Sequence, residues 1–404
     1  MTAISRDAAA GSGRRRSVPA VLSHGFRPFF LLAALAAALM VPAWLAMFAH
    51  GLAPAGPLDP LAWHAHEMVW GYLAAVIAGF LLTAIPNWTG RLPVAGPALA
   101  LLVALWLAGR LALLLLPYPV WAAAIDLAFL PVLLLAALRE VQAAGNRRNL
   151  PVVGLIGLFA AGNLVFHLEP WLPFRPGAGI DLALAVAALL IALIGGRIIP
   201  SFTHNWMNRR GLRPRPVPFG TFDKAVLAGT GIALVAWLVA PEWRGGGVLL
   251  LAAAAAHLAR LARWQGHRCL RDPLLAVLHL GYLWLAVSLG LMGMAAVVPD
   301  LVPASAALHA LTAGAIGTMT LAVMTRASLG HTGRALQADG WTTACYALVT
   351  LGAVARVAAP WCGADYLPAL MLGGTAWAAG FGLFALRYAP ILLGPRKAKA
   401  EAAD

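Results

Sequence analysis

The sequence predicts an all-α, polytopic membrane protein of about twelve transmembrane helices. Three observations predict it. The 404 residues are 61% hydrophobic and only 11% charged, with a mean hydropathy of +0.81, a balance that soluble domains do not have. Apolar runs long enough to cross a bilayer recur twelve times between Pro, Gly and charged breaks. Arginine and lysine gather on one set of connecting segments.

Taken in order, residues 1–21 are rich in Ala, Gly and Ser, carry Arg14-Arg15-Arg16, and read as a disordered basic cytoplasmic tail. The apolar stretch after Pro28 is too long for a signal peptide and is read as the first span. Spans are predicted at 28–50, 62–86, 97–117, 119–140, 150–168, 178–199, 221–240, 246–264, 273–298, 304–325, 340–359 and 366–390. The eighth is the weakest, because His257 and Arg260 interrupt it. Together they form one membrane domain, 22–392, followed by a charged cytoplasmic tail, 393–404.

With the N-terminus inside, all but four of the 29 Lys and Arg residues fall on inner segments. The exceptions are Arg110, Arg175, Arg244 and Arg356. Such a lopsided split puts both termini in the cytoplasm. It also explains the net charge of +14 without a nucleic-acid partner. Cys269, Cys345 and Cys362 stand apart with no CxxC, so neither a disulfide framework nor a zinc site is expected. The sequence has no Walker loop, dinucleotide fingerprint or HExxH.

Two of the helices look equivalent. His66 opens a long uncharged run that closes at Thr89-Gly90-Arg91, and His309 opens one that closes at Thr332-Gly333-Arg334. In the same ungapped register Gly71 falls on Gly314. A shorter echo joins helix six, where Ile199-Pro200 repeats Ile85-Pro86. Helices two, six and ten are spaced by four, which suggests three units of four helices.

Ionisable groups inside a bilayer are costly, so each is a candidate functional residue. His66 and His309, at one depth on facing helices, are candidates to clamp one haem iron as axial ligands. His64 lies about 200° around the helix from His66 and would serve a neighbouring metal such as copper. Glu67 shares the His64 face at a spacing of three and would ligate, orient an imidazole or carry protons. His279 and His331, toward the inner side, are candidates for a second centre. His24, His50, His167, His204, His257 and His267 read as interface or loop residues. Asp126 and Asp181 are weaker candidates for a proton path.

These segments resemble one family. Gly25-Phe26-Arg27-Pro28-Phe29-Phe30, Trp63-His64-Ala65-His66-Glu67-Met68, Gly79 through Gly90, Gly196-Arg197-Ile198-Ile199-Pro200, His279-Leu280-Gly281-Tyr282 and His309 through Arg334 are similar to the signature blocks of NnrS proteins. The resemblance implies a twelve-helix protein of the bacterial inner membrane that carries haem, of the b type, and copper. It ties the chain to nitric oxide as ligand or substrate, in denitrification or nitrosative-stress defence. The residues it carries over are His64, His66, Glu67, His279, His309, Arg326 and His331, with Arg326 offsetting a propionate or other negative charge. The arrangement also resembles the haem–copper oxidases, which have twelve helices in three arcs of four and haem ligands on helices two and ten. The copper-binding histidines of that second family on helices six and seven are missing here.

The resulting expectation is a membrane protein that binds, reduces or detoxifies nitric oxide at haem, with His64 and Glu67 as catalytic candidates. Two rival classes stand beside it. One is a transporter of metal, haem or a small anion, which internal repeats also suit. The other is a non-catalytic assembly or sensory protein with a structural haem.

Overall fold

A computed structural model describes residues 18–397, and every predicted span is a helix there. We label the spans α1 (Phe26–His50), α2 (Pro60–Thr89), α3 (Pro97–Leu115), α4 (Pro119–Ala143), α5 (Arg147–Leu168) and α6 (Ala178–Asn208). The second half comprises α7 (Thr221–Val239), α8 (Arg244–Ala262), α9 (Pro273–Val297), α10 (Ala304–His331), α11 (Gly340–Trp361) and α12 (Gly363–Leu393). Among the described residues there is no strand. The expected tails fall outside the described residues apart from 18–21 and 393–397. Of these, Lys397 is tied down, its N–H donating to the Thr332 carbonyl at 3.0 Å.

The helix ends follow from local chemistry. Asp59 caps α2 by accepting from the N–H groups of Leu61 and Ala62, and Pro60 takes the first helical position, where no N–H is needed. Asp272 with Pro273 starts α9 in the same way. The two Thr-Gly-Arg stops place glycine in the left-handed conformation, φ 68° at Gly90 and 71° at Gly333, as a helix terminator requires.

Chain neighbours pack side by side around a ring, and α12 returns against α1 to close it. Inside the ring lie α2, α6 and α10, which touch one another. Their windows are 83%, 61% and 72% buried, whereas α4, α5 and α7 are each 33% buried and face outward. The inner position suits helices whose middle stretches are apolar on all faces.

The equivalence of α2 and α10 extends to the backbone. Each contains a wide π-helical segment, Glu67–Leu73 and Ala310–Ile316. The register that lays His66 on His309 lays these two segments on each other. A third lies in α6 at Ile191–Gly195. Among the described residues these are the three π-helical segments, one on each inner helix. Wide turns leave carbonyls without their usual partner. In each segment a side chain from an outer helix supplies one. Trp106 of α3 donates to the Gly71 carbonyl at 3.0 Å, Arg260 of α8 to Ala192 at 2.7 Å, and Trp377 of α12 to Ala313 at 3.1 Å.

Candidate functional site

On the side of the membrane away from the described termini, a cavity of about 250 Å³ opens between α1, α2, α10, α11 and α12. His64, His309 and Arg356 line it, and the rest of its wall is almost wholly apolar. The His64 ring stacks on Trp44 of α1, with centroids 4.3 Å apart. Neither of its nitrogens has a hydrogen-bond partner among the described residues, and Nδ1 is buried. His309 is different. Its Nδ1 lies 2.7 Å from the Ser305 carbonyl, which can only accept. The proton therefore sits on Nδ1 and the Nε2 lone pair is free. This is how a metal-ligating imidazole is commonly held. Arg356 has no carboxylate within ion-pair distance among the described residues, and its Nη1 is buried without a partner. Glycines shape the wall. A Cβ at Gly352 would come within 2.6 Å of Trp377, and one at Gly374 within 2.7 Å of Leu45.

His66 faces the other way. Its Nδ1 is 3.2 Å from Glu67, and its Nε2 is 3.1 Å from Asn163 Oδ1 and 3.2 Å from Asp126. Arg110 donates to Glu67 at 2.9 Å and also to Asp126. His167 Nε2 is 3.0 Å from the same Asp126 carboxylate, to which Asn163 donates at 2.8 Å. Both nitrogens of His66 thus face oxygens that accept, so both carry hydrogens. Two carboxylates then meet two cations in a buried cluster, with Glu67 Oε2 and Arg110 Nε left without a partner among the described residues. His66, Asp126 and His167 each place one ligand atom within 4.8 Å of the others, so the group could also hold a metal ion.

A second buried cluster lies between α6, α7, α8 and α9, nearer the side of the termini. Arg260 pairs with Asp223 at 2.7 Å and donates to Tyr282 at 2.6 Å as well as to the α6 π-segment. Tyr282 donates to His257 Nδ1 at 2.8 Å, and His257 Nε2 donates to Thr230 at 2.9 Å. Every member has a use within the cluster.

The structure corrects three expected pairings. His309 shares its cavity with His64, while His66 is turned to α4 and α5 by Asp126 and Asn163. Glu67 goes with His66 and Arg110 instead of with His64. His279 does not meet His331. It is buried, donates from Nε2 to Thr203 at 2.9 Å, and packs its Nδ1 edge against Gly266. His331 instead lines a chamber of about 340 Å³ with Arg326, Thr83 and Asn87, toward the termini. The Arg326 guanidinium lies 4.0 Å from the Phe202 ring centre.

Sequence reasoning passed over Arg110, Arg356, His167 and the group around His257. The signal for the first two was present, since both break the charge rule and both lie inside spans. For His257 it was the interruption of an apolar run. His167 and Asn163 gave none, because only the fold brings them to Asp126.

No curated protein is similar to the chain in sequence. The family model described as NnrS protein matches residues 20–396, nearly the whole chain and all twelve helices. With that match over the helices that build both the cavity and the clusters, the chain belongs to the NnrS family.

Proposed function

We propose that this chain holds a haem of the b type between α2 and α10 and uses it to bind and remove nitric oxide, in the response to that gas to which the family is tied. One observation carries the reading. A cavity with apolar walls contains two imidazoles with free lone pairs and one arginine without a counter-ion. Those are the groups that would hold an iron porphyrin: His309 and His64 for the metal, Arg356 for a propionate. The comparison between clusters sharpens it. Arg110 and Arg260 each have an aspartate of the chain's own, and Arg356 does not.

Haem supplies an iron that binds the gas or carries an electron. The protein residues divide the remaining work. His309, anchored by Ser305, would be the fixed residue holding the group. His64 is held only by stacking on Trp44 and would be the side chain able to make room for the gas. The apolar wall excludes water and admits an uncharged diatomic from the bilayer. We place the cavity in the periplasmic half of a bacterial inner membrane, with both termini cytoplasmic, as the arginine distribution supports.

Oxidised and reduced spectra of the purified protein test the assignment. Wild type and His64→Ala are expected to retain haem and His309→Ala to lose it. His64→Ala is expected to bind nitric oxide more tightly than wild type. A full haem complement in His309→Ala refutes the site. Copper, which the resemblance implies, has a candidate place among the described residues in the His66–Asp126–His167 group. There it would displace a hydrogen of His66 and share Asp126 with Arg110. Metal analysis decides, and a copper content unchanged in His167→Ala removes that placement.

A further inference from the structure

The three inner helices enclose more than the cavity of His64 and His309. At mid-membrane a smaller cavity of about 90 Å³ lies between α2, α5, α6 and α10. Its wall is apolar except for Thr320. That hydroxyl already donates to the Ile316 carbonyl at 2.7 Å and meets Tyr72. The cavity is partly open at its rim, and its wall offers an entering water almost no partner.

The void is built into the fold. Leu73 and Ile316, which close the π-segments of α2 and α10, border it, and so do Ile191, Ile194 and Gly195 of the α6 segment. All three wide turns therefore converge on one point, and each is held by a side chain from the outer ring. The cavity shares wall residues with its neighbours. Leu73 and Ile316 line the cavity of His64 and His309 as well, while Phe80, Ile198 and Val323 line the chamber of Arg326.

We propose that this middle cavity is a binding site for a small apolar gas molecule, and that it passes such a molecule to the cavity of His64 and His309. The wall selects by hydration. An ion or a proton carrier entering it would lose its water and gain no hydrogen bond, whereas a diatomic gas loses almost nothing. The same wall bars the seam to metal ions and anions, which counts against the transporter class.

The site itself does not depend on the haem reading; the relay does. Xenon-pressurised crystals of the full-length protein test the site. Xenon is expected between Leu73, Ile194 and Ile316, and its signal is expected to be lost in Ile194→Trp. Ala187→Leu, a smaller plug on the same wall, serves if the tryptophan variant does not fold. Absence of xenon in the wild-type cavity overturns the proposal. The relay is read by flash photolysis of carbon monoxide from the reduced protein, where the plugged variant is expected to rebind more slowly. Rebinding at the wild-type rate in a plugged, haem-loaded variant overturns the relay and leaves the haem assignment intact. A haem-free protein that still takes up xenon would refute the haem assignment, and with it the relay, and keep the gas site.

Discussion

Arg356 and His66 show how one buried side chain is judged by what already surrounds it. Arg356 lacks a partner, so Arg356→Gln is expected to weaken haem retention during purification, with Arg356→Lys intermediate because it keeps the charge without the fork. Pyridine haemochrome content per protein checks this. His66 has partners on both nitrogens, so its loss is a matter of stability. His66→Ala leaves Glu67 with Arg110 alone and Asp126 with Arg110, His167 and Asn163, a loss of about 3–5 kcal/mol. Thermal unfolding in detergent should show a large drop, with part of it recovered when Glu67→Gln removes the excess charge. Cys269 is a third case at this scale. Burial first, then Asp272, pushes its thiol up to about 11, outweighing its local hydrogen bonds. At neutral pH it is expected to alkylate far more slowly than the partly exposed Cys362, and to speed up as pH rises toward that value.

The repeat was legible in the sequence at the level of helices. His66 over His309 and the two Thr-Gly-Arg stops located α2 and α10 and matched their glycine conformations. Which histidine faces which cavity was not legible. The groups that sort the histidines, Asp126 and Asn163 for His66 and Trp44 for His64, come from other helices and leave no mark in the local sequence. The side chains that hold the π-segments make them testable. Trp106→Phe removes the donor to Gly71 and is expected to cost about 1 kcal/mol. Trp377→Phe removes the donor to Ala313, beside the proposed haem, and is expected to shift its absorption as well. At the α11–α12 contact, Asp339 caps α11 and pairs with Arg387 at 2.8 Å. Burial pushes its carboxyl up, but the bonds from Thr342 and Arg387 outweigh that and hold it at about 2. Its contribution is therefore complete above the unfolded value of about 4 and is lost as pH falls through about 2. Melting temperature against pH should slope less in Asp339→Asn than in wild type over that window.

For the molecule as a whole, composition dictated twelve spans, and charge dictated an orientation that the chain's own cysteines can report. Cys362 lies between α11 and α12, on the side away from the described termini. In spheroplasts it is expected to react with a membrane-impermeant maleimide before any permeabilisation, while Cys345 and Cys269 stay unlabelled. Labelling only after permeabilisation would invert the orientation and move the proposed haem to the cytoplasmic half.

One seam of the ring, the contact of α1 with α12, joins the two ends of the chain. Val41, Trp44 and Leu45 from the first helix and Gly373, Gly374 and Trp377 from the last meet at this seam, around the His64 cavity. During biogenesis the first helix must wait in the lipid until the last one leaves the translocon. Only then does the cavity gain its final wall. If the proposed haem binds there, its capture and completion of the bundle become one event, the last of assembly. An apoprotein arrested at that stage would be a ring still ajar, recognisable to a quality-control protease.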